Sequence, residues 1–80
     1  MTITQAKAVY DRNHIDKDNI ANKDFALERD QARYELFAAE LPPRDICDFE
    51  YYFYGKTRNL SDIMHSIRRH LERMRGGEDE

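Results

Sequence analysis

Between Asn59 and Arg75 the chain reads NLSDIMHSIRRHLERMR, and no other stretch limits the fold so strongly. Leu60, Ile63, Met64, Ile67, Leu71 and Met74 recur at spacings of three and four, which draws one apolar stripe along an amphipathic helix. Its ends are marked. Asn59 is suited to cap the free amides of the first turn, Asp62 stands where negative charge complements the helix dipole, and Gly76-Gly77 offers a left-handed stop. The outer face carries Arg68, Arg69, Arg73 and Arg75 with His65. A helix of this kind needs apolar neighbours, so the other segments are read as its partners.

Taken in order, residues 2–10 fit a short helix, because Thr2 and Gln5 match a capping box and Ile3, Ala6 and Tyr10 share one face. The alternation in TITQAKAVY equally tolerates an extended segment. DRNHID, from Asp11 to Asp16, is rich in residues that bond their own backbone and reads as a linker. Asp16 is then placed to cap a helix, with Ile15 and Ile20 as a hydrophobic staple. From Lys17 to Leu41 there is neither proline nor glycine, which predicts one long helix over 17–41. Its apolar residues form two stripes, Ile20, Leu27, Tyr34, Phe37, Ala38 and Leu41 on one side and Ala21, Phe25, Ala32, Leu36 and Ala39 on the other. Two stripes require two neighbours. The sevenfold spacing Ile20, Leu27, Tyr34, Leu41 resembles a coiled-coil seam, but Asp24 and Gln31 interrupt it and favour a bundle.

Pro42-Pro43 ends that helix and can open the next at its first position. Residues 43–54 place Ile46, Phe49 and Phe53 on one helical face, and Gly55 closes the segment before the basic turn Lys56-Thr57-Arg58. A strand through FEYYFY is the rival, because these residues have high β propensity, yet no second convincing strand exists to pair with it. Helix is the expectation.

At 80 residues the chain makes one small domain, of a size that buries only about 60% of its unfolded surface. Cys47 is the single cysteine, so no disulfide within one chain can add to that core and a reducing compartment is expected. There is no apolar run long enough to span a membrane and no signal-like N-terminus, so a soluble, cytoplasmic protein is expected. The net charge of −3 hides a division: acids predominate from Asp16 to Glu50, bases from Lys56 to Arg75, and the chain ends in Glu78-Asp79-Glu80. Such a charge dipole suits docking onto a protein better than a surface dedicated to DNA.

Catalytic and metal patterns are absent from the sequence. Asp16 and Asp18 begin like a calcium loop, but Ala21 stands where its glycine and Leu27 where its glutamate would be. His65 and His70 are five apart and so miss the shared face of a helical zinc pair, with His14 and Cys47 distant in sequence. Cys47 sits among acids, which oppose a thiolate, and Ser61 and Ser66 lack elbow glycines. Asn59-Leu60-Ser61 formally matches a glycosylation acceptor, though capping explains Asn59 better. Neither cofactor nor metal is expected, and no enzyme.

The aromatic run Phe49, Tyr51, Tyr52, Phe53, Tyr54 cannot all face one core from a helix, so some tyrosines are expected at the surface beside arginine, a combination common in binding hot spots. The candidate partner-binding residues are therefore Tyr51, Tyr52, Tyr54, Lys56, Arg58, Arg69 and Arg73. The expected architecture is an all-α bundle of three main helices, about 17–41, 43–54 and 59–75, with a helical or extended N-terminal segment. Residues 1–75 form the domain and 76–80 an acidic flexible tail. The spare face of the long helix is expected to meet a second copy in a homodimer. In function, this pattern predicts a non-catalytic protein-binding module, an adaptor or inhibitor of a larger protein, of a type that mobile elements use against host machinery. The alternative is a DNA-binding transcriptional regulator using the basic last helix, although its arginines lie toward the C-terminal half whereas recognition helices read with their N-terminal residues.

Overall fold

The computed structural model describes residues 1–55 and 59–79, with side chains as far as Gly76. Four helices make up a small helical bundle: α1 (Ile3–Arg12), α2 (Ala26–Ala38), α3 (Pro43–Tyr54) and α4 (Leu60–Asp79). No strand occurs among the described residues, and FEYYFY lies within α3. Among the described residues no helix is long and apolar enough to cross a membrane.

The starts of α1, α3 and α4 follow the sequence closely. At α1 the capping box forms in both directions, the Gln5 amide donating to Thr2 Oγ1 at 3.1 Å and the Thr2 amide to Gln5 Oε1 at 2.8 Å. The segment is thus helical rather than extended; it buries Ala6, Val9 and Tyr10 while Ile3 stays exposed. Pro43 opens α3, Gly55 closes it at φ 67, and Asn59 Oδ1 accepts the Ser61 amide at 2.9 Å to cap α4.

Helix ends depart from it. The helix expected over 17–41 is α2 alone, preceded by a short 3₁₀ turn (Lys23–Phe25). The cause is competition by Asx side chains for backbone amides. Asp16 Oδ1 accepts from the amides of Asp18 and Asn19 at 2.8 and 2.9 Å, Asn19 Oδ1 accepts the Asp16 amide at 2.8 Å, and Asn22 Oδ1 accepts the Asp24 amide at 2.9 Å. Asp16 therefore caps a single turn. Ile15 and Ile20, the expected staple, are both buried, but they anchor a loop to the core rather than the start of a long helix.

Two helices stop without glycine. After α1, His14 adopts φ 64, with the Ile15 amide returning to the Tyr10 carbonyl at 2.9 Å and the His14 amide to Asp11 at 3.0 Å. After α2, Glu40 adopts φ 71, with Leu41 bonding the Leu36 carbonyl at 3.0 Å and Glu40 that of Phe37 at 2.9 Å. Both are Schellman ends, each with an apolar residue just beyond the cap. Pro42-Pro43 lies past the end of α2 and serves only to start α3. At the C-terminus α4 runs through Gly76-Gly77 to Asp79, beyond the stop expected there.

The core is formed by Ala6, Val9 and Tyr10 of α1, Ala32 and Leu36 of α2, Ile46, Cys47, Phe49 and Tyr54 of α3, and Ile63 and Ile67 of α4, closed by Ile15 and Ile20. Tyr10 stacks on Tyr54 at 5.7 Å and meets Phe49 edge-on at 5.1 Å. Helix α2 touches α1, α3 and α4, so its several neighbours come from its own chain. Its stripes are not both covered: Ala32 and Leu36 are buried, whereas Leu27 is 60% exposed and Phe37 42%. The stripe on α4 is likewise divided, with Ile63 and Ile67 inside and Leu60, Met64, Leu71 and Met74 outside.

Glu40 is exposed and holds a left-handed conformation that disfavours a side chain. Glu40→Gly should raise stability by about 0.5–1 kcal/mol, seen as a higher urea midpoint with unchanged slope.

Candidate functional site

The interior is not wholly apolar. Arg33 of α2 is 4% exposed and forms a two-pronged pair with Glu50 of α3, Nε to Oε2 at 2.6 Å and Nη2 to Oε1 at 2.7 Å. The Tyr10 hydroxyl of α1 donates to the same Glu50 Oε2, and Arg33 Nη1 donates to Ser66 Oγ of α4. Each of the four helices therefore sends one polar side chain to a single buried node. Burial, and then the charge of Glu50, push the Tyr10 hydroxyl well above its ordinary pKa. For Arg33, burial favours proton loss, but the hydrogen bonds and charge of Glu50 outweigh it and raise the pKa.

A second cluster adjoins the first through Ser66. Asp30 of α2, with no exposed surface, accepts from Arg69 Nε at 3.2 Å, Arg69 Nη2 at 3.1 Å and Arg73 Nη2 at 2.7 Å. Arg69 Nη2 also reaches Ser66 Oγ at 3.4 Å. Burial acts to raise the Asp30 pKa, but hydrogen bonds from Arg69, Arg73 and Ser66 bring it below the ordinary carboxylate range. These groups hold helices together, while Arg33 and Arg69 also line an open polar pocket with Arg29, Asp62 and His65.

The proposed partner-binding residues fall into four sets. Tyr51 and Tyr52 are exposed, at 45% and 75%. Tyr54 is buried, its hydroxyl without a hydrogen-bond partner among the described residues and its pKa pushed up to about 12, chiefly by burial and then by nearby carboxylates. Arg69 and Arg73 are held by Asp30, while Lys56 and Arg58 lie outside the described residues. Hence Tyr54 is withdrawn from the surface, and Arg69 and Arg73 are partly engaged within the chain. Tyr52 instead borders a shallow groove with Ile3, Leu41 and Phe49, edged by Asp45 and Asp48.

The more continuous apolar surface was not singled out by the sequence. Phe37 of α2, Pro43 of α3 and Met64, Ile67 and Leu71 of α4 line an open groove, with Arg68 at its edge. Its signal was present, because a stripe of six apolar residues on α4 is wider than two or three neighbouring helices can cover in a chain this short. The buried node also had a signal. Glu50 follows Ile46 by four and Ser66 follows Ile63 by three, which are core spacings occupied by polar groups.

Burial first, and then Asp48 and Glu50, raise the Cys47 thiol, opposite to what a nucleophile requires. His70 stacks beside Tyr34 at 4.8 Å and His65 is exposed. The chain matches no protein-family model, no curated protein and no solved structure.

Glu50→Ala strands Arg33 and should cost about 3–5 kcal/mol, enough to abolish cooperative unfolding in a domain of this size. Combining Glu50→Leu with Arg33→Met should cost less than Glu50→Ala alone, measured by urea denaturation followed by circular dichroism. Asp30, whose folded pKa is depressed, contributes stability that is present above its unfolded value of about 4 and lost as pH falls through its lower folded value. The Asp30→Asn variant should therefore show a flatter fall in urea midpoint between roughly pH 5 and pH 2 than the parent.

Proposed function

We propose that the chain is a non-catalytic protein-binding module, an adaptor or inhibitor that acts by covering part of a larger protein. One observation carries this reading: the outer face of α4 leaves Leu60, Met64, Leu71 and Met74 exposed at 38%, 56%, 42% and 50%, with Met64 and Leu71 lining a groove with Phe37 and Pro43. A contiguous apolar strip with a charged edge is a common mark of a protein interaction site, whereas scattered surface apolar residues need no explanation. The strip also gives a geometric reason for α4 to be longer than its contacts with the core require.

The distribution of arginine supports the same reading over the nucleic-acid one. A recognition helix needs free cations facing phosphate. On α4 only Arg68 and Arg75 are without an ion pair among the described residues; Arg69 and Arg73 are tied to Asp30, Arg33 is buried on Glu50, and Arg29 donates to the carbonyls of Ile20 and Asn22 at 2.8 and 3.0 Å. Acids also border the exposed Tyr52, which disfavours base stacking there.

The test is affinity capture with the tagged full chain from source-cell lysate, split into nuclease-treated and untreated halves. A discrete protein should be retained in both halves and lost with the Met64→Asp variant, whose helix content should match the parent. Disappearance of every captured protein after nuclease, with nucleic acid recovered from the untreated half, would overturn the proposal in favour of nucleic-acid binding.

A further inference from the structure

We infer that the groove along α4 receives an acidic amphipathic helix from another protein; this rests on the protein-binding reading and specifies its partner. The first argument is periodicity. Leu60, Met64, Ile67, Leu71 and Met74 alternate at spacings of four and three, the pattern of a coiled-coil seam. Ile67 is 5% exposed and forms the floor, while the other four stand at the surface. At about 1.5 Å per residue the seam is roughly 21 Å long, enough for about four turns of a second helix. Phe37 and Pro43 form a second wall, so the site is a trough between elements rather than a flat face. Two of the four exposed side chains are methionine, which adapts its shape to a partner.

The second argument is charge. Arg68 and Arg75 stand one heptad apart beside the seam, both exposed, and neither forms an ion pair among the described residues. They differ in this from Arg69 and Arg73, which the protein neutralises itself. An occupant carrying Glu or Asp beside its apolar face meets these two cations; a basic one is repelled by them.

The same geometry argues against a second copy of this chain on the seam. In an antiparallel two-fold pairing, Arg68 and Arg75 of one copy face those of the other. In a parallel pairing they face Ile63 and His70. Neither arrangement places a carboxylate opposite Arg68 and Arg75, so a symmetric α4–α4 pairing leaves both cations unmatched.

The experiment uses the full chain and two fluorescent synthetic peptides of equal length and helicity, each with leucine at every seam position. One carries Glu at the flanking positions and the other Lys, and binding is read by fluorescence anisotropy. The Glu peptide should bind about tenfold more tightly, the advantage should shrink with added salt, and Arg68→Glu combined with Arg75→Glu should reverse the preference. Met64→Asp and, separately, Leu71→Ser should weaken both peptides while thermal unfolding stays close to the parent. Equal affinity for the two peptides, preference for the Lys peptide, or binding of neither would overturn the inference. So would sedimentation equilibrium showing a dimer that Met64→Asp dissociates, because the occupant would then be a second copy. A nuclease-resistant protein captured equally by the parent and by Met64→Asp would sink the groove while leaving the protein-binding reading intact.

Discussion

The contact between Arg33 and Glu50 is the constraint to which the rest of the molecule is fitted. Both side chains are withdrawn from water, so each requires the other, and the remaining donors and acceptors are satisfied by Tyr10 and Ser66. Four helices therefore have to reach one point in one relative register. An apolar core alone tolerates sliding and rotation of helices at modest cost, because hydrophobic contact is not directional. A buried, two-pronged ion pair does not. Its net contribution to stability is small once desolvation is counted, but wrong packings that separate its members are strongly disfavoured. In a domain with so short a list of buried residues, this polar node selects the arrangement that the apolar residues then stabilise.

The second consequence concerns α4. Ile63, Ser66 and Ile67 are drawn inward toward the node, and Arg69 and Arg73 are drawn sideways onto Asp30. That rotational setting leaves no room for Leu60, Met64, Leu71 and Met74 in the core. The apolar surface that these residues present is thus a by-product of satisfying buried charge. Because the same setting neutralises some arginines and leaves Arg68 and Arg75 without an ion pair among the described residues, the surface acquires an electrostatic sign along with its shape.

The termination of α1 and α2 shows where local reading of a sequence runs out. Glycine at a helix end is a visible signal, and Gly55 is used in that way. His14 and Glu40 take the same left-handed backbone with side chains that disfavour it, because Ile15 and Leu41 must turn back toward the core immediately after. The strain is offset by burial elsewhere. Similarly, Asp16, Asn19 and Asn22 divide the stretch before α2 with hydrogen bonds that a scan for proline and glycine does not register.

Much of the architecture was legible from the sequence: the all-helical class, the capping box at Thr2, the start of α3 at Pro43, its end at Gly55 and the cap at Asn59. These are local matters, decided by side chains within a few residues of the backbone groups they satisfy. Of the proposed binding residues, the exposure of Tyr52 was foreseeable from crowding in the aromatic run, whereas the burial of Tyr54 and the capture of Arg69 and Arg73 were not. The sequence by itself determined which segments are helices and that an apolar stripe runs along the last one. Only the tertiary structure decided how much of that stripe is covered and which arginines remain unpaired. The physical reason is that both depend on Asp30, Arg33 and Glu50, whose partners lie far away in the chain and whose need for them arises only on burial.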